Sequence, residues 1–235
     1  MNILIPAAGA GKRFREAGYT DPKPLIDVGG KPMLARVIQN VLPPGSHRTV
    51  VVAPPGFPRF YDVGVENYEI GYTTDGAART ALLAIHGTQM DLDESLLVAN
   101  SDQLLDWEPS DFRIFMDGWD GGIVLFPCSD QNPKWSYAQI GRNRIVRVAE
   151  KQPISGWATA GIYWWARTGD FVRSATDMIC RDERTNGEFY IAPTYNDLIR
   201  EGKAIFPYYI KAEQMHGLGT PEDLAIYLES LKEKV

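Results

Sequence analysis

Near its start the chain has an apolar run, Ile3-Leu4-Ile5, that stops at Pro6 and gives way to a loop of small residues, Ala7-Ala8-Gly9-Ala10-Gly11. Lys12 and Arg13 follow at once. This stretch constrains the fold more than any other. A short strand with no polar residue is buried on both faces, as strands of parallel sheets are. A small-residue turn at its carboxyl end exposes successive backbone N–H groups, which form a concavity for anions. Beyond it a lone lysine, Lys23, stands between Pro22 and Pro24. Proline on each side restricts the backbone, which suits one ammonium group held at one point against a phosphate. The spacing is neither GxxxxGK[ST] nor GxGxxG. The expectation is that this stretch holds a nucleoside triphosphate and that the rest of the chain brings it a second substrate.

The remaining pattern reads as alternating strands and helices. Apolar residues from Met33 to Leu42 recur at helical spacing, so a helix is expected over Lys31–Leu42, with Pro32 in its first turn. Strands are expected at Ile3–Ile5, Val50–Ala53, Glu69–Thr73 and Leu96–Ala99. A helix is expected over Ala77–His86, capped by Asp75 or Thr74. The strand at Leu96–Ala99 delivers Asn100, Ser101, Asp102 and Gln103 to its carboxyl end, the edge at which open α/β sheets bind ligands. From Gly122 onward the character changes. Ile123–Phe126, a hairpin of Ser136–Gln139 and Ile145–Ala149 turning at Arg142-Asn143, and Trp157–Trp165 read as strands of an antiparallel extension. Helices are expected at Asp170–Cys180, capped by Thr168, at Pro193–Arg200, and at Pro221–Leu231, capped by Thr220. A late strand is expected at Ile205–Ile210. The fold class is therefore α/β: a Rossmann-like, three-layer mixed sheet, mostly parallel with an antiparallel extension.

At 235 residues the chain is short for two full domains. A single domain over 1–235 is expected, with a nucleotide-binding part at about 1–120 and an acceptor-binding part at about 121–235. The formal net charge of −6 argues against non-specific nucleic-acid binding, which needs a broad basic face. No run of 18 or more apolar residues exists, so no membrane span is expected. A strand that begins by residue 3 leaves no room for a signal peptide. Cys128 and Cys180 are far apart and lack metal or redox spacing, so two reduced, part-buried thiols in a cytoplasmic protein are expected. His47, His86 and His216 have no zinc spacing.

The pattern AAGAGKRF…PKPLIDVGGKPML resembles the signature of the sugar-1-phosphate nucleotidyltransferases, also called nucleotide-sugar pyrophosphorylases. The matching residues are Gly9, Gly11, Arg13, Pro22, Lys23, Gly30, Lys31 and Pro32. Further similarities follow in the family's order. Asp75-Gly76-Ala77-Ala78 resembles its base-contacting loop, Ser101-Asp102 its metal site and Glu150-Lys151 its Glu-Lys pair. Ala160-Gly161-Ile162-Tyr163 and Asn186-Gly187-Glu188-Phe189-Tyr190 resemble its sugar-side motifs. Gly219-Thr220-Pro221-Glu222-Asp223 resembles its C-terminal turn. The short form, without a β-helix domain, is expected because little follows the last helix.

The resemblance implies an enzyme that joins a nucleoside triphosphate to a sugar 1-phosphate, or a similar phosphorylated small molecule, and releases pyrophosphate, for surface polysaccharide synthesis. No covalent enzyme intermediate is needed, so catalysis is positioning and charge neutralisation. By the same resemblance the catalytic set is Arg13, Lys23 and Asp102. Arg13 would bind the departing phosphates, Lys23 the α-phosphate and Asp102 a Mg²⁺ ion, with Mn²⁺ as the alternative. The nucleotide site would comprise Ala7, Ala8, Gly9, Ala10, Gly11, Lys12, Arg13, Lys23, Gly76, Ala77 and Asp102. The acceptor site would comprise Tyr137, Ala138, Glu150, Lys151, Gly161, Glu188 and Tyr190. Neither nucleic acid nor membrane is implied as a partner, and a homo-oligomer is compatible.

Three positions depart from the family, all on the acceptor or metal side. Gly217 stands where many members have an Asp that gives the metal a second carboxylate, so either Asp102 is the only protein carboxylate there or another acid such as Glu213 or Asp223 reaches the ion. Tyr137-Ala138 replaces Tyr-Gly, and Ser101 replaces a Gly. These departures leave the acceptor open to other phosphorylated molecules. A glycosyltransferase on the same architecture would usually carry an Asp-x-Asp motif, which Ser101-Asp102-Gln103 lacks. A non-catalytic nucleotide-binding protein would be expected to lack Lys23 or Asp102, and both are present.

Overall fold

The computed structural model describes residues 1–45, 47–58 and 64–233. Strand β1 (Asn2–Pro6) is buried along its apolar stretch and ends in the small-residue loop. A short helix α1 (Lys12–Glu16) starts directly from Gly11 and buries Phe14. Helix α2 (Met33–Val41) buries Met33, Leu34, Val37, Ile38 and Val41 on one face, the stripe its spacing called for. It begins two residues later than the sequence suggested, because Pro32 remains extended, with ψ 141°, just ahead of it. Strands β2 (Arg48–Ala53) and β3 (Val65–Glu69) follow. The third strand therefore lies ahead of the expected Glu69–Thr73, and Thr73 and Thr74 belong to a loop. The polar residues of β3 hid it: Glu66, Asn67 and Glu69 sit on a strand paired only to β2, at the end of the sheet path.

Helix α3 (Ala77–Gly87) returns the chain to β4 (Leu96–Ala99). Its N-cap is Gly76, with no side-chain cap from Asp75 or Thr74. Strand β5 (Gln103–Leu105) and helix α4 (Pro109–Phe115) lead to β6 (Gly121–Pro127). The hairpin β7 (Ser136–Gly141) and β8 (Arg144–Glu150) turns at Arg142 and Asn143, both at positive φ, and β9 (Trp157–Trp165) follows. Helix α5 (Thr168–Cys180) takes Thr168 as its first residue rather than its cap, since the Thr168 hydroxyl donates to the Glu94 carbonyl. Helix α6 (Tyr195–Arg200), strands β10 (Ile205–Tyr209) and β11 (Met215–Gly217), and helix α7 (Pro221–Glu233) complete the order. Thr220 does cap α7: its hydroxyl oxygen accepts the Asp223 N–H at 3.1 Å.

The main sheet runs β10-β6-β9-β4-β1-β2-β3. All strands on this path point the same way except β9, which is antiparallel to both β4 and β6. Apolar clusters fill both faces. One lies under α2, α4 and α7, the other under α3, α5 and α6, which gives three layers. From β1 the chain winds outward to β2 and β3, then returns through α3 to β4 on the other side of β1. The direction of winding thus reverses between β1 and β4, and a crevice opens at their carboxyl ends. Both cysteines are free thiols; Cys128 is buried, whereas Cys180 is exposed rather than part-buried. Among the described residues no helix is long and apolar enough to cross a membrane.

Candidate active site

A cleft of about 420 Å³ occupies that crevice and extends beneath the β7–β8 hairpin. Its donor side is built from the ends of β1 and β4. Ala8, Gly9 and Ala10 line it, and Arg13 reaches it from α1. Gly11 takes a left-handed backbone, φ +59°, to start α1, and a Cβ there would lie 3.1 Å from Lys23 Cβ. Close packing of the loop on the Pro22-Lys23-Pro24 segment brings the Lys23 ammonium to the Asp102 carboxylate, with which it forms a hydrogen-bonded ion pair. Neither side chain is free in solvent, at 18% and 25% exposure. The Asp102 backbone carbonyl accepts the Leu218 N–H at 2.7 Å, which fastens the end of β11 beside it. A Cβ on Gly219 would come 3.1 Å from Asp102 Oδ2, so glycine keeps the space beside that oxygen free of a side chain.

The loop ahead of α3 closes the donor side through Thr73, Thr74, Gly76 and Ala77. Gly76 has φ +132°, and a Cβ there would lie 2.3 Å from the Phe189 carbonyl oxygen. The Phe189 N–H donates to the Asp75 carbonyl at 2.8 Å, and the Ala78 N–H donates to the Phe189 carbonyl at 3.0 Å. Arg184 reinforces the junction, pairing with Asp75 at 3.0 Å and lying 4.0 Å from the Phe189 ring centroid. The segment carrying Glu188 and Tyr190 is thus stitched to the donor-side loop.

The acceptor side comes from β7, β8, β9 and that same segment. Ser136 lies opposite Glu150 in the hairpin register and donates its hydroxyl to the Glu150 carboxylate. Burial, first of all, holds the Glu150 carboxyl above its ordinary range, and the negative charge of Glu188 adds to the shift. The Ser136 hydrogen bond and the Lys151 charge work against it. Lys151, at φ +54°, donates its N–H to the Trp135 carbonyl at 3.0 Å. Its ammonium donates to the Tyr190 hydroxyl and sits 4.4 Å from the Tyr190 ring centroid. Tyr190 in turn hydrogen-bonds Glu188. Thr159 and Tyr163, with hydroxyls 2.9 Å apart, also line the cleft.

Of the residues singled out in the sequence, the cleft gathers Ala8, Gly9, Ala10, Arg13, Lys23, Gly76, Ala77, Asp102, Glu150, Lys151, Glu188 and Tyr190. Six others are not part of its lining. Ala7 is buried and Lys12 points to solvent, 80% exposed. Gly11 and Gly161 act through the backbone: a Cβ on Gly161 would collide with the Gln103 amide, and its carbonyl accepts the Asn100 N–H at 2.9 Å. Tyr137 and Ala138 are wholly buried. Strand alternation turns Ser136 toward the cleft and Tyr137 away, and the Tyr137 hydroxyl donates to the Asn132 carbonyl at 2.8 Å.

Sequence reasoning missed Ser136, Thr159, Lys134 and Trp135 as wall residues. The first was available from alternation with Tyr137; Lys134 and Trp135 carry no local signal. Of the acids that could join Asp102, Glu213 lies on the surface near Lys211, 3.9 Å away. Asp223 lines the cleft next to Gly217, but its carboxylate is paired to Lys134 at 2.8 Å. No group of three or more potential ligand side chains is found among the described residues.

A strand-end loop of small residues, a proline-flanked lysine beside an aspartate at the switch point, and a facing hairpin together define a nucleotidyltransferase architecture. Residues 3–108 match the MobA-like NTP transferase domain. The chain is 25% identical to the nucleoside-diphosphate-sugar pyrophosphorylase from Vibrio cholerae RC9, with a TM-score of 0.83 and coverage of 97% of this chain and 99% of that one. It is 24% identical over 235 residues to the UTP–glucose-1-phosphate uridylyltransferase AglF of Haloferax volcanii, covering 95% of this chain and 93% of the relative. A shorter likeness, 45% identity over 51 residues, joins it to the 2-aminoethylphosphonate cytidylyltransferase of Lancefieldella rimae and spans 22% of this chain and 21% of that one. Along its length the chain is thus similar to nucleotidyltransferases, among them a nucleoside-diphosphate-sugar pyrophosphorylase, as the motif resemblance implied.

Proposed function

We propose that the protein transfers a nucleotidyl group from a nucleoside triphosphate to the phosphate of a sugar 1-phosphate or a comparable phosphorylated small molecule, in a route to a surface polysaccharide. The observation that carries this reading is the single cleft with Arg13, Lys23 and Asp102 on one wall and Lys151 with Glu150 on the other. An oxygen of the acceptor phosphate forms a bond to the α-phosphorus. The bond from that phosphorus to the oxygen bridging to the β-phosphorus breaks, and pyrophosphate departs with the electron pair. The backbone of Ala8, Gly9 and Ala10 borders the triphosphate. Arg13, whose planar fork suits two phosphate oxygens, takes the departing pair. Lys23 supplies positive charge at the α-phosphate, and Lys151 holds the acceptor phosphate. In the free protein Asp102 pairs with Lys23 and holds it in place, and the substrate phosphate and the cation would take over the two charges of that pair.

Asp102 also suits a hard divalent cation. Its Oδ2, which lies beside Gly219 and is paired to Lys23 in this structure, would exchange that ammonium for the ion, and the triphosphate would supply further oxygens. Mg²⁺ held there, or Mn²⁺ in its place, would neutralise phosphate charge as it builds. The test is a matrix of nucleoside triphosphates against sugar phosphates and other phosphorylated acceptors, scored by pyrophosphate release. Release with a defined pair supports the reading. Hydrolysis or transfer of a preformed nucleotide-sugar without pyrophosphate would favour a glycosyltransferase instead.

A further inference from the structure

Two charge pairs in the cleft cancel internally, Lys23 with Asp102 and Lys134 with Asp223. The cleft-lining charges left without an ion-pair partner among the described residues are two cations, Arg13 and Lys151, and two anions, Glu150 and Glu188. The cations have evident counterparts in the substrate phosphates. The anions do not, since neither a triphosphate nor an acceptor phosphate brings positive charge. Lys151, next in sequence to Glu150, turns its ammonium to the Tyr190 hydroxyl instead of bridging to either glutamate. Among the described residues Glu150 accepts the Ser136 hydroxyl, and Glu188 lies beside the Tyr190 hydroxyl. Both carboxylates line the acceptor side of the cleft.

We infer that the acceptor carries an ammonium group as well as its phosphate or phosphonate, and that Glu150, with Glu188 beside it, receives that ammonium. A neutral hydroxyl could hydrogen-bond to Glu150 but would leave the repulsion between the two carboxylates standing. An ammonium relieves that repulsion and makes the stronger, charge-assisted bond. The aromatic rings at this end already carry cations: Lys151 lies 4.4 Å from the Tyr190 centroid and Lys134 4.6 Å from that of Trp135. Burial first of all, and then the Glu188 charge, hold the Glu150 carboxyl above its usual range, against the Ser136 hydrogen bond and the Lys151 charge. This inference rests on the nucleotidyl-transfer reading and narrows its acceptor class.

The ammonium could belong to an amino sugar or to an aminoalkyl phosphate or phosphonate, and matched acceptors separate these. With the nucleoside triphosphate that supports turnover, glucosamine 1-phosphate is compared with glucose 1-phosphate and N-acetylglucosamine 1-phosphate. In the second arm 2-aminoethylphosphonate is compared with 2-hydroxyethylphosphonate. In one arm the amine is expected to exceed its neutral partner in kcat/KM by about tenfold or more, as a charged site discriminates against a ligand that leaves it unpaired. Glu150→Gln is expected to erase most of that preference, with kcat/KM falling further for the amine, chiefly through its KM, than for the neutral partner. The variant's thermal melt confirms folding, and the wild-type selectivity stands without the variant. Equal or better turnover of the neutral members in both arms overturns the inference and leaves nucleotidyl transfer intact. Equal loss on amine and neutral acceptors in Glu150→Gln also overturns it. No pyrophosphate release with any acceptor overturns both.

Discussion

Gly76→Ala should be strongly destabilising, because its added methyl group meets backbone that cannot move aside. At φ +132° an alanine is strained, and its Cβ would sit 2.3 Å from the Phe189 carbonyl oxygen and 2.4 Å from the Phe189 nitrogen. Both contacts are backbone, so no side-chain rotation relieves them. Relief requires the 185–190 segment to move off the loop, which breaks the hydrogen bonds Phe189 N–H to Asp75 and Ala78 N–H to Phe189. Backbone strain of about 1–3 kcal/mol, with about 1 kcal/mol for each lost bond, gives a destabilisation of roughly 3–5 kcal/mol. For a chain of this size that lowers Tm by about 6–20 °C. The assay is thermal unfolding followed by circular dichroism, with Gly9→Ala as control. A Cβ on Gly9 meets nothing within 4 Å, and that variant should lie within about 0.5 kcal/mol of wild type. A Gly76→Ala protein that melts with the wild type would refute the claim that the two loops are locked backbone to backbone.

Lys23→Ala should leave the fold intact, with pyrophosphate release down by about a hundredfold or more, the scale of removing one preorganised charge from a reacting phosphorus; near-normal turnover would discard its role. Asp102→Asn should weaken Mn²⁺ binding, read by titration calorimetry with nucleotide present, and unchanged affinity would move the cation elsewhere. Glu150 is destabilising when ionised, because its folded-state pKa is raised above the ordinary 4.5, mainly by burial. The folded protein therefore holds its proton where the unfolded chain has lost it, and stability falls as pH rises through that window. The Tm of Glu150→Gln relative to wild type should accordingly climb from pH 4.5 toward neutrality, and a flat difference would contradict the assigned shift. Thr220→Ala removes the oxygen that accepts the Asp223 N–H and should cost about 1 kcal/mol in a urea melt.

The donor half of the site was legible because its residues are adjacent in the chain: a buried strand, a small-residue turn and a proline-flanked lysine announce themselves within one segment. The acceptor half was only partly so. Glu150, Lys151, Glu188 and Tyr190 were found by motif resemblance, whereas Tyr137 and Ala138 were chosen in place of Ser136. The motif marks the strand, but only the pleat says which residue faces the cleft. Polar β3 escaped notice for a related reason: it sits at the end of the sheet path, where no apolar run is required of it. Short elements such as α1, β5 and β11 carry too few residues for any periodicity.

From the sequence came the α/β class and the β1 loop as the anchor of the fold, which follow from burial patterns and local spacing, whereas the roles expected of Arg13, Lys23 and Asp102 came from the motif resemblance. Only the tertiary structure could decide which charges meet. It showed that Lys23 pairs with Asp102, that Lys134 occupies Asp223, and that Glu150 and Glu188 line the cleft without an ion-pair partner among the described residues. Charge pairing depends on distances between segments scores of residues apart, and local pattern does not encode those distances. The β1 loop and the two carboxylates thus mark the proposed nucleotide and acceptor halves of the cleft.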